Sequence, residues 1–368
     1  MAMNYSPPTA EKQLAFLQHI QRLLNEGNFV STYKFALLHA LADLAVLLGD
    51  DTGRPLTLIT EQLAERFLLL YERQARPFPG TQVRILRQNT GRQAKVVSQI
   101  GEKIACYAGR PIDPGHETGL LREIERTIRE MPLGRLQTVG QESLNFLYDH
   151  PGDYQTKEIT LKPGIAYCLR AFYSFITSLI QGAWLNYVRK YNADLVGEKM
   201  DLQEFMFGVR RASLVPLREM LFELQDGRCF YTGRRLGDDV EVDHFIPWSR
   251  YPMDLGHNFV LACGPVNRKK SNHIAAEEHL EKWTRFCLAN HETLVEGFDR
   301  IGIPHKLPSS LQIARWCYTS AQKAQAQVWL EGTSLGKLSD VWEELLNKAQ
   351  VKANEVVSLD AGFAMTIS

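Results

Sequence analysis

The sequence predicts a mainly α-helical chain carrying one small β-β-α module, an α+β fold. Three observations lead there. Apolar residues recur at helical spacing through most of residues 10–223. A pair of strand-like patterns follows at Val240 to His244 and Phe259 to Ala262. Directly after the second, Gly264-Pro265 opens a helix, with proline in the first turn, where its missing N–H costs nothing.

The elements can be taken in order. Leu14, Leu17, Ile20 and Leu24 share one face of a first helix. Thr32 is placed to cap Tyr33 to Leu48, with Leu37, Leu41, Leu44 and Leu48 on one side, and Gly49-Asp50-Asp51 ends the run. Thr60 to Arg76 continues the pattern through Leu63, Phe67 and Leu70 until Arg76-Pro77-Phe78-Pro79-Gly80 stops it. Further helices are expected at Arg92 to Cys106, His116 to Glu130 and Pro163 to Tyr191, with a short strand at Lys157 to Leu161. In the Pro163 helix, Tyr167, Phe172, Phe175 and Trp184 read as core. Leu214 to Leu224 is a helix running into Gly227. Beyond the module, Ile274 to Ala289, Leu311 to Leu330 and Ser339 to Val357 read as helices and Ser358 to Ser368 as an unpaired tail.

A chain of 368 residues is long for one core. The expected division is a helical accessory domain over 1–205, the β-β-α module over 206–290, and C-terminal helices over 291–368 that pack on the module. Lys+Arg and Asp+Glu balance at 42 each, so any polyanion must be met by a local patch. The polar opening MAMNYSPPTAEKQ has no leader character, which points to a cytoplasmic protein. Gly164 to Val188 is the most apolar stretch, but Arg170 and Gln181 mark it as a buried helix, so no membrane is expected. The six cysteines form no C-x-x-C pair and read as reduced, mostly buried thiols.

The chemistry concentrates between Gly227 and Asn272. A histidine side chain can take a proton from water at neutral pH, and His244 is the candidate general base. Asp243 and Asn267 offer a carboxylate and an amide oxygen, a hard donor set suited to Mg²⁺ or Mn²⁺ rather than zinc. Asn258 is placed to brace the loop from Ile246 to His257. Lys270, one turn after Asn267, is expected to reach a phosphate together with Arg268 and Lys269. His257 and His273 read as surface residues, and Asp254 as a turn residue.

Order and spacing here resemble the HNH (ββα-metal) endonucleases. Cys229 and Cys263 match the first cysteine of each pair in the family's zinc knuckle, but Thr232 and Val266 replace the second, so no zinc is expected. The last position of the pattern is Asn267, an H-N-N variant similar to the HNH domain of RNA-guided CRISPR nucleases. Gln225, Gly227, Cys229, Tyr231, Thr232, Gly233, Asp243, His244, Pro247, Ser249, Asn258, Leu261, Asn267 and Lys270 carry that likeness. It stops at the borders of the module: no split acidic motifs or Arg-rich bridge helix surround it, so no guide RNA is implied. The resemblance implies a free-standing DNA endonuclease that cuts one strand, leaving 5′-phosphate and 3′-hydroxyl ends. It also suggests an effector of bacterial anti-phage defence working with other defence proteins. An RNA nuclease, or a nucleic-acid-binding protein that keeps the fold without cutting, are the alternatives.

A second feature is the basic span from Arg73 to Arg110, in which Arg84, Arg87, Arg92 and Lys95 alternate with Gln82, Gln88, Asn89 and Gln93. Such a stretch suits a phosphate backbone read without base contacts, or a solvated face.

Overall fold

The computed structural model describes residues 5–79, 84–106, 114–196, 201–208 and 214–364. It is mainly helical, with small two-stranded antiparallel sheets. The chain divides into two compact units, 1–208 and 209–368.

The first unit is built around α2 (Tyr33–Leu48). Ahead of it, α1 (Ala10–Glu26) is capped by the Thr9 hydroxyl, which accepts from the Lys12 N–H. The expected one-sided apolar face of α2 is too narrow. Every residue from Tyr33 to Leu47 except Lys34 is buried, while Leu48 is exposed. A helix apolar all round must be enclosed. It is surrounded by α3 (Thr60–Glu72), α6 (Ile165–Ala171) and α7 (Tyr173–Tyr191). Thr32 caps α2 with its backbone only; its hydroxyl lies 2.7 Å from the buried Tyr71 hydroxyl.

The strand expected at Lys157 to Leu161 is β4 (Glu158–Leu161). It pairs antiparallel with β1 (Leu56–Ile59), which sequence reading left unassigned. Between them lie α4 (Lys95–Cys106), α5 (Pro114–Glu130) and the two-residue strands β2 (Thr138–Val139) and β3 (Glu142–Ser143). The Pro163 run breaks at Phe172 into α6 and α7, and this shifts the buried face. Tyr173, Ile176, Ile180 and Trp184 point inward, whereas Phe175 is 56% exposed, so Phe175 is not core. Arg170 explains the charge within this apolar stretch. It donates to the Ala45 and Val46 carbonyls at the end of α2 and pairs with Asp51 at 3.0 Å, satisfying acceptors the helix terminus leaves open. The unit ends with α8 (Leu202–Phe207). Among the described residues, no helix is long and apolar enough to cross a membrane.

The second unit opens with α9 (Leu214–Leu224). The strands β5 (Val240–His244) and β6 (Phe259–Cys263) pair antiparallel, with Val240 opposite Cys263 and His244 opposite Phe259. The short helix α10 (Gly264–Lys270) follows at once. Leu217, Met220 and Leu221 of α9 form one core with Phe259 and Leu261 of β6 and with Leu294 and Phe298 of α12 (His291–Ile301). Before α12 lies α11 (Glu277–Ala289); after it come α13 (Leu307–Lys323), the hairpin β7 (Gln327–Glu331) and β8 (Ser334–Lys337), and α14 (Val341–Ala364). Two expectations are corrected here. The run to Leu330 is a helix only as far as Lys323 and then becomes β7. The last helix continues to Ala364 through most of the expected tail; residues 365–368 lie outside the described ones.

Candidate active site

The site follows from the two-residue period of β5. Val240 and Val242 turn toward the core shared with α9 and α12. Glu241 and Asp243 therefore face the other way, onto α10. There Asn267 donates from Nδ2 to Glu241 at 2.8 Å, and the Lys270 ammonium lies 2.8 Å from Asp243 Oδ2. Asn267 and Lys270 sit one helical turn apart, so one face of α10 reads one face of β5.

Asp243 is buried, and its carboxylate is held by protein. The Tyr231 hydroxyl donates to Oδ2 at 2.5 Å. Burial, and then the neighbouring Asp243 charge, push the Tyr231 phenol well above its ordinary value, so it stays a donor. Lys270 is fully buried. Beyond Asp243 it donates to the His244 carbonyl at 2.9 Å and lies 5.7 Å from the centre of the Tyr231 ring. Sequence reading placed Lys270 on a phosphate. In the structure its charge is spent inside, against Asp243, because an unpartnered buried carboxylate is costly.

His244 ends β5 on the opposite side of the backbone from Asp243. Its ring packs between Trp248 and Phe259, with centroids at 5.1 and 4.7 Å. Its Nε2 lies 3.0 Å from Asp254 Oδ1. Asp254 was read as a turn residue; it is the partner of the candidate base. A carboxylate accepts only, so Nε2 carries the hydrogen in this contact, and Nδ1 is the ring nitrogen it leaves over. Asn258 closes the same loop. Its Oδ1 accepts from the Ile246 N–H at 2.7 Å, its Nδ2 donates to the Ile246 carbonyl at 3.0 Å, and its own carbonyl accepts from Phe245 N–H. Behind the loop, His257 is only 1% exposed, which corrects its expected surface position. It is enclosed by Phe298, His291 and His305. His273 is partly buried.

The donor chemistry suits a hard cation. Both protein bonds to Asp243 fall on Oδ2, which leaves Oδ1 for a ligand. Asn267 gives its nitrogen to Glu241, which leaves its amide oxygen. Among the described residues no group of three or more His, Cys, Asp or Glu side chains is placed to hold a metal. One carboxylate and one amide oxygen are few ligands for zinc but enough for Mg²⁺ or Mn²⁺, which keep several waters.

The remaining basic residues divide. Arg268 is tied to Asp239 at 2.7 Å and Glu241 at 2.6 Å, so its charge is largely answered, while Lys269 is exposed. In the first unit, Arg84, Arg87, Arg92 and Lys95 are all exposed. Two of the amides between them, Gln88 and Gln93, are tied into the protein. Gln88 is fully buried, donates to Gln74 and accepts from the Trp184 indole, and Gln93 ties the backbone of Leu86 and Gln88. Gln82 and Arg110 lie outside the described residues.

Sequence reading missed Asp254, Tyr231 as a carboxylate holder, and Glu241. The period-two rule flags Glu241 as sharing the Asp243 face. No local signal identifies Asp254, whose role depends on how residues 245–257 fold back. Residues 229–276 match the family described as HNH endonuclease, a segment that runs from the Cys229 turn through β5, β6 and α10.

Proposed function

We propose that this chain, which through residues 229–276 belongs to the HNH endonuclease family, is a divalent-metal-dependent DNA endonuclease that nicks one strand. The observation that carries the reading is the end of β5. There a histidine oriented by Asp254 is the chain neighbour of a carboxylate that Tyr231 and Lys270 hold on the face shared with Asn267.

His244 takes the proton of the attacking water at Nδ1, since Nε2–H is committed to Asp254. Asp254 fixes the ring and balances the imidazolium that forms, as an orienting carboxylate does for a histidine base. Asp243 and Asn267 would hold Mg²⁺ or Mn²⁺ through the oxygens their protein bonds leave over. When bound, such an ion withdraws charge from the phosphate and the leaving oxygen. Lys270 and Tyr231 hold the Asp243 carboxylate in place. Asn258 sets the loop that carries Asp254. Lys269 is the exposed cation of α10 available to a phosphate, and Arg84, Arg87, Arg92 and Lys95 are a separate patch suited to a nucleic-acid backbone. The setting proposed with this reading is that of a cytoplasmic effector of anti-phage defence that works without a guide RNA.

Supercoiled plasmid and a folded RNA of similar length, incubated side by side with protein and Mg²⁺ or Mn²⁺, test this. Conversion of plasmid to open circles with the RNA intact supports the DNA reading. RNA degradation with intact plasmid would move the substrate to RNA. Neither substrate cut would leave a binding protein.

A further inference from the structure

Cys229 and Cys263 meet at the start of α10. The Phe230 N–H bonds the Leu261 carbonyl at 2.9 Å, which lays the Cys229 turn along the end of β6. The Cys263 backbone N–H then reaches Cys229 Sγ at 3.4 Å, and the Cys263 thiol donates to the same sulfur. The Thr232 hydroxyl and the backbone N–H groups of Thr232 and Tyr231 also converge on it. Burial opposes a charge on Cys229, but these donors outweigh it and hold the thiol below its ordinary value. Cys263 goes the other way, raised by burial and then by Cys229. Cys229 is 1% exposed, while Cys263 is only partly buried and opens a route from solvent.

We propose that Cys229 and Cys263 are an oxidisable dithiol, a modification site that a hydroperoxide converts to an intramolecular disulfide. Cys229, the thiol whose donors favour the thiolate, attacks a peroxide admitted beside the more open Cys263, forming an S–O bond and breaking O–O, and hydroxide is released. Cys263 then gives up its proton and attacks the sulfenic sulfur, forming S–S and breaking S–O, and a second hydroxide leaves. The two thiol protons complete two waters. The thiols lose two electrons and the hydroperoxide gains them.

The position gives the disulfide a target. Cys263 directly precedes Gly264, which is wedged so tightly that a Cβ there would lie 2.1 Å from the Asp239 carboxylate. Cross-linking Cys263 therefore acts on the junction that seats Asn267 and Lys270. Resting on the nuclease reading above, oxidation lowers cleavage reversibly.

The test treats the full chain with hydrogen peroxide and maps its thiols by alkylation and peptide mass spectrometry. The expected product is a peptide linking Cys229 to Cys263, lost on treatment with dithiothreitol, while the exposed, isolated Cys106 gives only oxygen adducts. In Cys263→Ser, Cys229 forms no intramolecular disulfide. Both cysteines still alkylatable at peroxide levels that oxidise Cys106, or disulfides pairing elsewhere, would overturn the proposal whether or not the protein cuts DNA. The coupling to α10 is read separately. Peroxide suppresses wild-type nicking with recovery in dithiothreitol and leaves Cys263→Ser unaffected; equal suppression of both overturns the coupling.

Discussion

Asp254 and Lys270 decide how the site is understood at the scale of single residues. Asp254 holds His244 at Nε2, so its loss should act on the base through the orientation of that ring. Asp254→Asn is expected to lower kcat by about 10²-fold with KM nearly unchanged, since an amide can present the wrong group to the ring. Asp254→Glu should recover part of the rate. Wild-type turnover by Asp254→Asn would detach the residue from the chemistry. Lys270 gives a contrasting readout. Lys270→Met would leave the buried Asp243 without its counter-charge and should cost about 3–5 kcal/mol in urea unfolding. A lysine held out to a phosphate would cost within about 0.5 kcal/mol. Asp243, His244 and Asn267 stood out in the sequence because their spacing is a joint pattern. Asp254 did not, because it stands ten positions beyond His244 across a loop.

At the scale of elements, β5, β6 and α10 were legible because alternation, a turn-rich loop and a Gly-Pro start are local signals. The hairpin β7–β8 was not. Its Val328, Trp329 and Leu330 extend the apolar pattern of α13, and what makes them a strand is distant. The Trp329 N–H donates to the Ile274 carbonyl, and its carbonyl accepts from Ala276, each at 2.8 Å. The β7 strand also supports the site, since Trp329 packs edge-on to Tyr231 at 5.2 Å. The loop between β5 and β6 rests on Asn258. Asn258→Ala removes both bonds to the buried Ile246 backbone and should cost about 1–3 kcal/mol. Faster amide exchange at Ile246, with β5–β6 exchange unchanged, is the expected signature; unchanged protection at Ile246 would refute the brace.

The whole molecule holds two units, each with its own buried core, and its charges balance over the full sequence. The mainly helical class was legible from periodicity. The target of the first unit was not, because its exposed arginines carry no pattern that names a partner. A global property follows from His257. Burial, with His305 and His291 nearby, pushes its pKa from 6.5 to about 3. The unfolded chain therefore binds a proton that the folded chain refuses between these values. This contribution to stability is complete above about 6.5 and declines by about 1.4 kcal/mol per pH unit as pH falls toward 3. Unfolding curves across this range should show a shallower acid limb for His257→Phe than for wild type. Parallel limbs would show that His257 does not set the slope.

The central claim is that His244 is the base of a metal-dependent cut. The measurement is the rate at which supercoiled plasmid becomes open circles in Mg²⁺ or Mn²⁺, wild type against His244→Ala, with both proteins shown to melt alike. The account predicts nicking by wild type and a loss of about 10²–10⁴-fold in the variant. Equal rates for the two proteins, or a plasmid left intact by wild type in both ions, would contradict it.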